Sequence, residues 1–438
     1  MKNTWSSLCF WTLFSFLVSL YAFSVFAFEL KLAASPDSSY QLLTQELQKA
    51  KRSIWLNVYE LSHEGITDVL INKANQGVDV KIILEGVPVG GFKKDSKSMV
   101  WKLVSNGVKD VKIMFNRSRL GRISDSDEES KEEGKASSRK FRFNHAKYAI
   151  VDQAAIVIGS ENYGNHGHPS SPSLPGNRGW EIATTDKSTI SYFAKLFQSD
   201  AKEDDCITPR EAVFAKLFYP SNYDKSMGEV EEMWEHWQPE KMVMMHTSKI
   251  KLFEDSDCAL KPISSPENSL PSLEGMIDNA KKSILIELMS FSPFWKTEGG
   301  GHRVSPLLLA LERALQRGVR VWVIINDPHT FARPKGVLSG ISYNDVANDN
   351  QGSYDLLMKL KKARLPLEVV IGNNQGMAIT YIHNKGVIVD DKMTLVSSIN
   401  WTETSISKNR EAAVIITCTA AATYYQNLFW IDWNRSLQ

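Results

Sequence analysis

The sequence predicts an α/β protein in which one unit occurs twice: two homologous α/β/α sandwich domains with mixed, mostly parallel sheets, related by a pseudo-twofold axis. Three observations predict it. An eight-residue pattern appears as His145-Ala-Lys147-Tyr-Ala-Ile-Val-Asp152 and again as His383-Asn-Lys385-Gly-Val-Ile-Val-Asp390. Each copy is followed by a small polar box, Gly159-Ser160-Glu161-Asn162 in the first half and Ser397-Ser398-Ile399-Asn400 in the second. The flanking landmarks recur in one order, with apolar strand-like runs alternating with helical stretches, which implies sheets covered by helices on both faces.

At the N-terminus, Met1-Lys2 precedes an apolar run from about Trp5 to Phe28, with small-residue spacing at Val25-Phe26-Ala27. This pattern predicts an export signal over residues 1–27, with an uncleaved membrane anchor as the alternative. The mature chain then divides into a first domain (28–205), a linker (206–247) and a second domain (248–438). Phe28-Glu-Leu-Lys-Leu reads as the counterpart of Lys249-Ile-Lys-Leu-Phe253. Ala50-Lys51-Arg52-Ser53-Ile54 matches Ala280-Lys281-Lys282-Ser283-Ile284, each introducing an apolar strand after a helix. Next come helices closing at Gly77 and Gly318, before strands that begin Val78-Asp-Val80 and Val319-Arg-Val321.

Residues 117–140 are rich in Ser, Glu, Asp and Lys without apolar periodicity and predict a solvated loop before the first motif strand. In that strand, side chains at i and i+2 share a face, so His145 and Lys147 project together, as do His383 and Lys385. Asp152 and Asp390 complete each motif but stand at an odd offset from their histidines, which predicts strand-end anchors. Residues 163–179 form a second irregular loop containing His166 and His168, which lack partners at metal-ligand spacing; no metal or other cofactor is expected. Arg178-Gly-Trp180-Glu181 matches Asn409-Arg410-Glu411, and Phe193-Ala-Lys-Leu196-Phe197 matches Tyr425-Gln-Asn-Leu428-Phe429. The linker's Trp234-Glu-His-Trp237 and Met242-Val-Met244-Met245 are expected to pack under the domain interface more readily than to touch lipid. An insertion in the second half, Ser290-Phe-Ser-Pro-Phe294-Trp295-Lys296, offers two aromatics that either pack or dip into a membrane interface.

A hydrophobic content of 43% supports two cores without a disulfide scaffold, and a net charge of +1 supplies no basic field for duplex DNA. Apart from Cys9 in the leader, three cysteines remain, Cys206, Cys258 and Cys418. Buried free thiols are expected, with a Cys206–Cys258 bridge as the alternative.

The paired His-x-Lys-x4-Asp motifs, their Ser-x-Asn boxes and the acidic residue after each resemble the phospholipase D superfamily over nearly the whole mature chain. That family contains phospholipases, phosphatidyltransferases of the cardiolipin synthase type, nucleases and tyrosyl-DNA phosphodiesterases, which act on phosphodiester or related phosphoryl bonds without a metal ion. The resemblance implies that His145, Lys147, Asp152, His383, Lys385 and Asp390 form the catalytic set, with His145 the nucleophile and His383 the acid. A phosphodiester's negative charge repels nucleophiles, so Lys147 and Lys385 would clamp the phosphate while Ser160, Asn162, Ser398 and Asn400 add neutral hydrogen bonds. Glu181 and Glu411 are the candidates for orienting the histidines. One departure is Ser397 where the usual box begins with Gly; it is tolerable if the backbone there is not left-handed.

Functionally, the leading expectation is an exported, monomeric phospholipase D-type hydrolase releasing head groups at a membrane surface. Phosphatidyl transfer and, less favoured, a nuclease are the alternatives. A lipid-binding protein with a vestigial site is the reading from a different class.

Overall fold

The computed structural model describes residues 28–89, 91–115, 140–171, 173–214, 248–254, 258–296, 301–331 and 341–438. The expected leader, nearly all of the 117–140 segment and the Trp/Met cluster of the linker lie outside the described residues.

In the first half β1 (Leu30–Ser35), α1 (Ser39–Gln48), β2 (Ser53–Val58), α2 (Glu64–Asn75), β3 (Asp79–Glu85), α3 (Lys94–Ser105) and β4 (Asp110–Met114) precede the motif strand β5 (Lys147–Val151). Then follow β6 (Ala155–Gly159), β7 (Gly179–Thr184), α4 (Lys187–Asp200), β8 (Cys206–Ile207), α5 (Pro209–Phe214) and β9 (Lys251–Phe253). The second half runs β10 (Ala259–Ser265), α6 (Ser269–Asp278), β11 (Ser283–Leu288), the pair β12 (Phe294–Lys296) and β13 (His302–Val304), α7 (Pro306–Gln316) and β14 (Arg320–Ile325). It continues with α8 (Ile341–Lys362), β15 (Leu367–Ile371), α9 (Asn374–Met377), the motif strand β16 (Lys385–Val389), β17 (Met393–Ser397), α10 (Glu403–Ser407), β18 (Glu411–Thr417) and α11 (Thr419–Ser436).

Both sheets have one order. The first reads β8-β4-β3-β2-β5-β6-β7-β1-β9, and the second, taken from the corresponding edge, reads β15-β14-β11-β16-β17-β18-β10. The sheets are mixed. Strands joined through helices, β2-β3-β4 and β11-β14-β15, pair in parallel. The run from each motif strand to the far edge pairs antiparallel, because β5–β6 and β16–β17 are tight hairpins.

Two expectations about the edges are corrected by this register. The counterpart of β1 is β10, not Lys249–Phe253; the latter contains β9, which pairs with β1 itself and extends the first sheet. Cys206–Ile207, placed in the linker by composition, pairs with β4 on the opposite edge of that sheet. Short polar-flanked strands such as these have too little apolar pattern to be read from sequence. The cysteine pairing also differs: Cys258 is bridged to Cys418, while Cys206 is a buried free thiol. These two cysteines flank the neighbouring antiparallel strands β10 and β18, whose register sets Ala259 opposite Thr417.

Strand alternation divides the interior into three cores. Ala149 and Val151 of β5 face the outer helices of the first half, and Ala413 and Ile415 of β18 face those of the second. Tyr148 and Ile150, with Ala412, Val414 and Ile416, point the other way into a central core that both halves share with α4 and α11. There Trp180 of the first half stacks on Tyr425 of the second, ring centroids 4.5 Å apart, and the Tyr425 hydroxyl donates to the Glu181 carbonyl at 2.7 Å. A core common to two repeats leaves neither half with a separately buried inner face.

Candidate active site

Each histidine motif is stitched, by backbone, to the other half. The His145 N–H donates to the Arg410 carbonyl at 2.8 Å and the His383 N–H to the Arg178 carbonyl at 2.9 Å. Isolated bridges pair Asn144 with Arg410 and Arg178 with Ile382. The residue before each histidine is caught from below: Glu85, ending β3, accepts from the Asn144 N–H at 2.5 Å, and Asn326, just past β14, accepts from the Ile382 N–H at 2.9 Å. Neither residue stands out in sequence.

Both lysines are fully buried. Lys147 Nζ donates to the His145 carbonyl at 2.8 Å and lies 5.3 Å from the Tyr59 ring centroid. Lys385 Nζ donates to the His383 carbonyl and approaches the Met289 sulfur at 3.5 Å. Among the described residues neither ammonium has a carboxylate within 4.0 Å. Burial drives Lys147 down to about 8 and Lys385 well below its ordinary value, the latter with help from Lys147 itself. Lys147 lowers Lys385, and each lysine also acts on the other half's histidine, so the two ammonium groups belong to one electrostatic site. An anion between them relieves both penalties.

Each imidazole has a carboxylate at its Nδ1. Glu411 Oε2 lies 2.8 Å from His145 Nδ1 in a hydrogen bond, and Glu161 Oε2 lies 3.2 Å from His383 Nδ1. In both cases the carboxylate comes from the opposite half. With Nδ1 held, Nε2 is the nitrogen presented to substrate. Burial above all, reinforced by the lysines, lowers both rings to about 4 against the opposing pull of their carboxylates.

Glu181 is not at either motif histidine. Its Oε1 lies 3.1 Å from Nε2 of His168, whose Nδ1 reaches the Asn162 carbonyl at 3.1 Å, so this buried pair braces the box from behind. The physical reason is register: Glu181 stands opposite Gly159, whereas Ala413 stands opposite the equivalent Ser397, so Glu181 is two positions too deep in its strand. His168, a loop histidine without an assigned task in the sequence, therefore has a structural one. Among the described residues no group of His, Cys, Asp and Glu is arranged to hold a metal ion.

The box hydroxyls are turned inward. Ser398 Oγ donates to Glu411 Oε2 at 2.6 Å and accepts from the Ala412 N–H at 3.0 Å; Ser160 Oγ accepts from the Trp180 N–H at 3.1 Å. Both are fully buried, which makes them braces for the carboxylates more than contacts for a phosphate. Asn162 and Asn400 are half buried, each with an Oδ1 that has no hydrogen-bond partner among the described residues. Ser397 causes no strain: its φ is not positive, its hydroxyl accepts from the Ile399 N–H at 2.8 Å, and small Ala413 faces it across the strands.

Asp152 and Asp390 stand at the strand ends. Asp152 accepts backbone N–H bonds from Lys51, Arg52 and Ser53 at 2.7–2.9 Å, and Asp390 does the same for Lys281, Lys282 and Ser283 at 2.6–3.0 Å. Each opens its hairpin turn with a left-handed φ, 52° and 54°, which Asp tolerates better than most residues. For Asp152, burial alone would raise the carboxyl, but the three N–H donors outweigh it and hold it below the usual range. Its contribution is therefore present above the unfolded carboxylate pKa and lost as pH falls through the folded value. Asp152→Ala is expected to cost about 1–3 kcal/mol in a urea titration and to leave kcat within a few-fold. A collapse of kcat at unchanged stability would make Asp152 a chemical participant.

A pair of half-sites, each contributing an imidazole braced at Nδ1 and a buried ammonium, defines the phospholipase D-like class. The chain belongs to the family described as cardiolipin synthase, PLD-like domain, whose model matches residues 43–201 and 273–433, one match to each half. It is similar to a cardiolipin synthase of Alkalihalophilus pseudofirmus, 29% identical over 144 residues, which is 32% of this chain and a quarter (25%) of that relative. Among solved structures, phosphatidylserine synthase of Haemophilus influenzae Rd KW20 superposes with a TM-score of 0.59 at 13% identity, covering 92% of this chain and 85% of that one, a likeness of fold. The phospholipase D family member Nuc of Salmonella typhimurium matches 41% of this chain and 96% of its own at 22% identity, with a TM-score of 0.29.

Proposed function

We propose that the chain is a phosphatidyltransferase: it moves a phosphatidyl group from a phospholipid to an alcohol through a phosphohistidine. The observation that carries this is the pair of opposed, carboxylate-braced imidazoles beside two buried lysines. Neutral His145 attacks phosphorus through Nε2, the bond from phosphorus to the head-group oxygen breaks, and protonated His383 gives that oxygen its proton. In the return step an incoming alcohol passes its proton to His383 and attacks phosphorus, the phosphorus–nitrogen bond breaks, and both rings are restored. Lys147 and Lys385 neutralise the phosphate throughout.

Transfer takes precedence over the hydrolysis that the motifs alone put first, because the matched family and the relative above are both described as cardiolipin synthase. Burial of the site supports it too, since His145 and His383 side chains are only 13% and 4% exposed, which limits access by bulk water. The Cys258–Cys418 bridge fits an oxidising compartment, so we place the domains outside the cytoplasm. Among the described residues no helix is long and apolar enough to cross a membrane. Of the two aromatics singled out for a membrane, Trp295 is buried and Phe294 is exposed in register with exposed Val304, which keeps only Phe294 as a lipid contact.

Vesicles of phosphatidylethanolamine, offered with glycerol, should yield phosphatidylglycerol in excess of phosphatidic acid. Phosphatidic acid as the sole product with every acceptor would return hydrolysis to first place; cleavage of an oligonucleotide with no lipid product would replace both.

The titration behaviour gives a second check. The reaction needs one imidazole neutral and one protonated, and both sit at about 4 in the free protein. Therefore kcat/KM is expected to fall as pH rises above that value and to fall more steeply above about 8, where Lys147 loses its charge. A bound phosphodiester anion raises both imidazoles, so the kcat profile should be displaced to higher pH. Identical profiles for kcat and kcat/KM would contradict this.

A further inference from the structure

The two carboxylates that brace the histidines do not occupy equivalent positions of the repeat. The Ser160 N–H donates to the Trp180 carbonyl and the Ser398 N–H to the Ala412 carbonyl, both at 3.0 Å. Trp180 therefore corresponds to Ala412, and the position of Glu411 is filled in the first half by Gly179. Conversely Glu161, third in its box, corresponds to Ile399, a fully buried apolar residue.

We propose that Glu161 and Gly179 form a compensated exchange, in which Glu161 has taken over from the strand-start position the task of holding His383, and Gly179 is there to admit it. A Cβ on Gly179 would lie 2.1 Å from Glu161 Oε1 and 2.8 Å from its Cδ, so no side chain at 179 coexists with this carboxylate. Both carboxylates nevertheless keep the same partners. Asn177 Nδ2 donates to Glu161 at 3.1 Å as Asn409 Nδ2 donates to Glu411 at 3.0 Å, and these asparagines are equivalent, each two residues before the compared strand-start position. Each carboxylate faces the histidine of the opposite half. A carboxylate buried where the repeat otherwise places isoleucine is costly unless it is paired, and His383 is the pairing that accounts for it.

The environments differ in consequence. Glu411 takes hydrogen bonds from Ser398, Ser405 and Asn409 besides facing His145, while Glu161 takes them from Asn177 and, at 3.4 Å, Ser160. Glu161 is thus a positioning residue, acting on substrate only through His383 and fixing the tautomer that exposes Nε2.

The reaction in which His383 takes part rests on the proposed function; the brace does not, so it is read in two ways. In the full chain with nitrogen-15-labelled histidine, the ring signals of His383, assigned by their loss in His383→Gln, should show a single Nδ1–H tautomer. Glu161→Gln should convert this to a tautomer mixture and lower kcat by about 10–100-fold with KM little changed. Glu161→Ile combined with Gly179→Glu, which copies the second half into the first, should restore both the single tautomer and most of the rate. Should that pair fail to fold, Gly179→Ala alone must displace Glu161 and perturb the His383 signals as Glu161→Gln does. Unchanged His383 signals in Glu161→Gln, or a folded double variant with no recovery of either readout, would overturn the exchange. An intact tautomer response in a chain that turns over no lipid would sink the transferase reading and leave the exchange standing.

Discussion

His145→Ala is expected to abolish turnover, by a factor on the order of 10⁴–10⁶, and to abolish any covalent phosphoryl intermediate. His383→Ala is expected to lose about 10²–10⁴-fold on natural lipids yet still to form the intermediate from an ester with a good leaving group. The difference follows from the tasks. A nitrophenolate leaves without being protonated, so the first step needs His145 and the lysines but not the acid; the second step then stalls for want of a base to take the acceptor's proton. The geometry favours this division over its reverse. His145 has an aligned hydrogen bond from Nδ1 to Glu411 at 2.8 Å, a carboxylate itself fixed by Ser398, Ser405 and Asn409, whereas the His383 contact with Glu161 is 3.2 Å and not aligned as a hydrogen bond. A nucleophile has to hold one direction through bond formation, while an acid that passes protons to two different alcohols tolerates a looser hold. Acid-labile label trapped on His383 in the His145→Ala chain, and none on His145 in the reverse variant, would invert the assignment.

The repeat was legible because a strand's two-residue period carries His and Lys to one face, and because helix-to-strand junctions such as Ala50-Lys51-Arg52-Ser53 repeat nearly verbatim. The anchoring task of Asp152 and Asp390 was legible from the same period, as an odd offset. What failed was register. Aligning the acidic residues with each other put Glu181 against Glu411, whereas aligning the dipeptides Asn177-Arg178 and Asn409-Arg410 puts Gly179 there and leaves Glu161 over Ile399. That second alignment was available in the sequence, but only the strand pairing shows that it is the correct one. The cysteine pairing was beyond sequence for a related reason: Cys258 and Cys418 are 160 residues apart and become neighbours only when β10 and β18 are placed side by side. Glu85 and Asn326 give no sequence signal of their place in the site, since each supports it by accepting a backbone N–H from a loop more than fifty residues away.

Asp432→Asn is expected to destabilise the whole chain by about 3–5 kcal/mol and to lower activity with it, although Asp432 touches neither histidine. The buried guanidinium of Arg178 presents Nε 2.7 Å from Asp432 Oδ2, donates from Nη2 to Oδ1 at 3.1 Å, and gives Nη1 to the Ser35 carbonyl at 2.9 Å. Its equivalent in the repeat, Arg410, does the same with Asp200 and the Ser265 carbonyl at 2.8, 3.0 and 2.7 Å. Each arginine pairs with a helix of the opposite half, Arg178 with α11 and Arg410 with the end of α4, and each holds through its own carbonyl the backbone N–H of the opposite motif histidine. Removing the charge of Asp432 takes away the two-point partner of buried Arg178 and leaves it Asp37 Oδ1, 4.0 Å from Nη1, as the remaining ion pair, so the strand end that positions His383 is expected to move. Arg178→Met together with Asp432→Leu should recover much of the stability, because the desolvation penalty disappears with the charges, while recovering less of the activity. Since both halves also share the central core, urea or heat should unfold them in one transition in the native chain. Two separated transitions there, or an Asp432→Asn chain as stable as the native one, would show that the arginines decorate the interface without holding it.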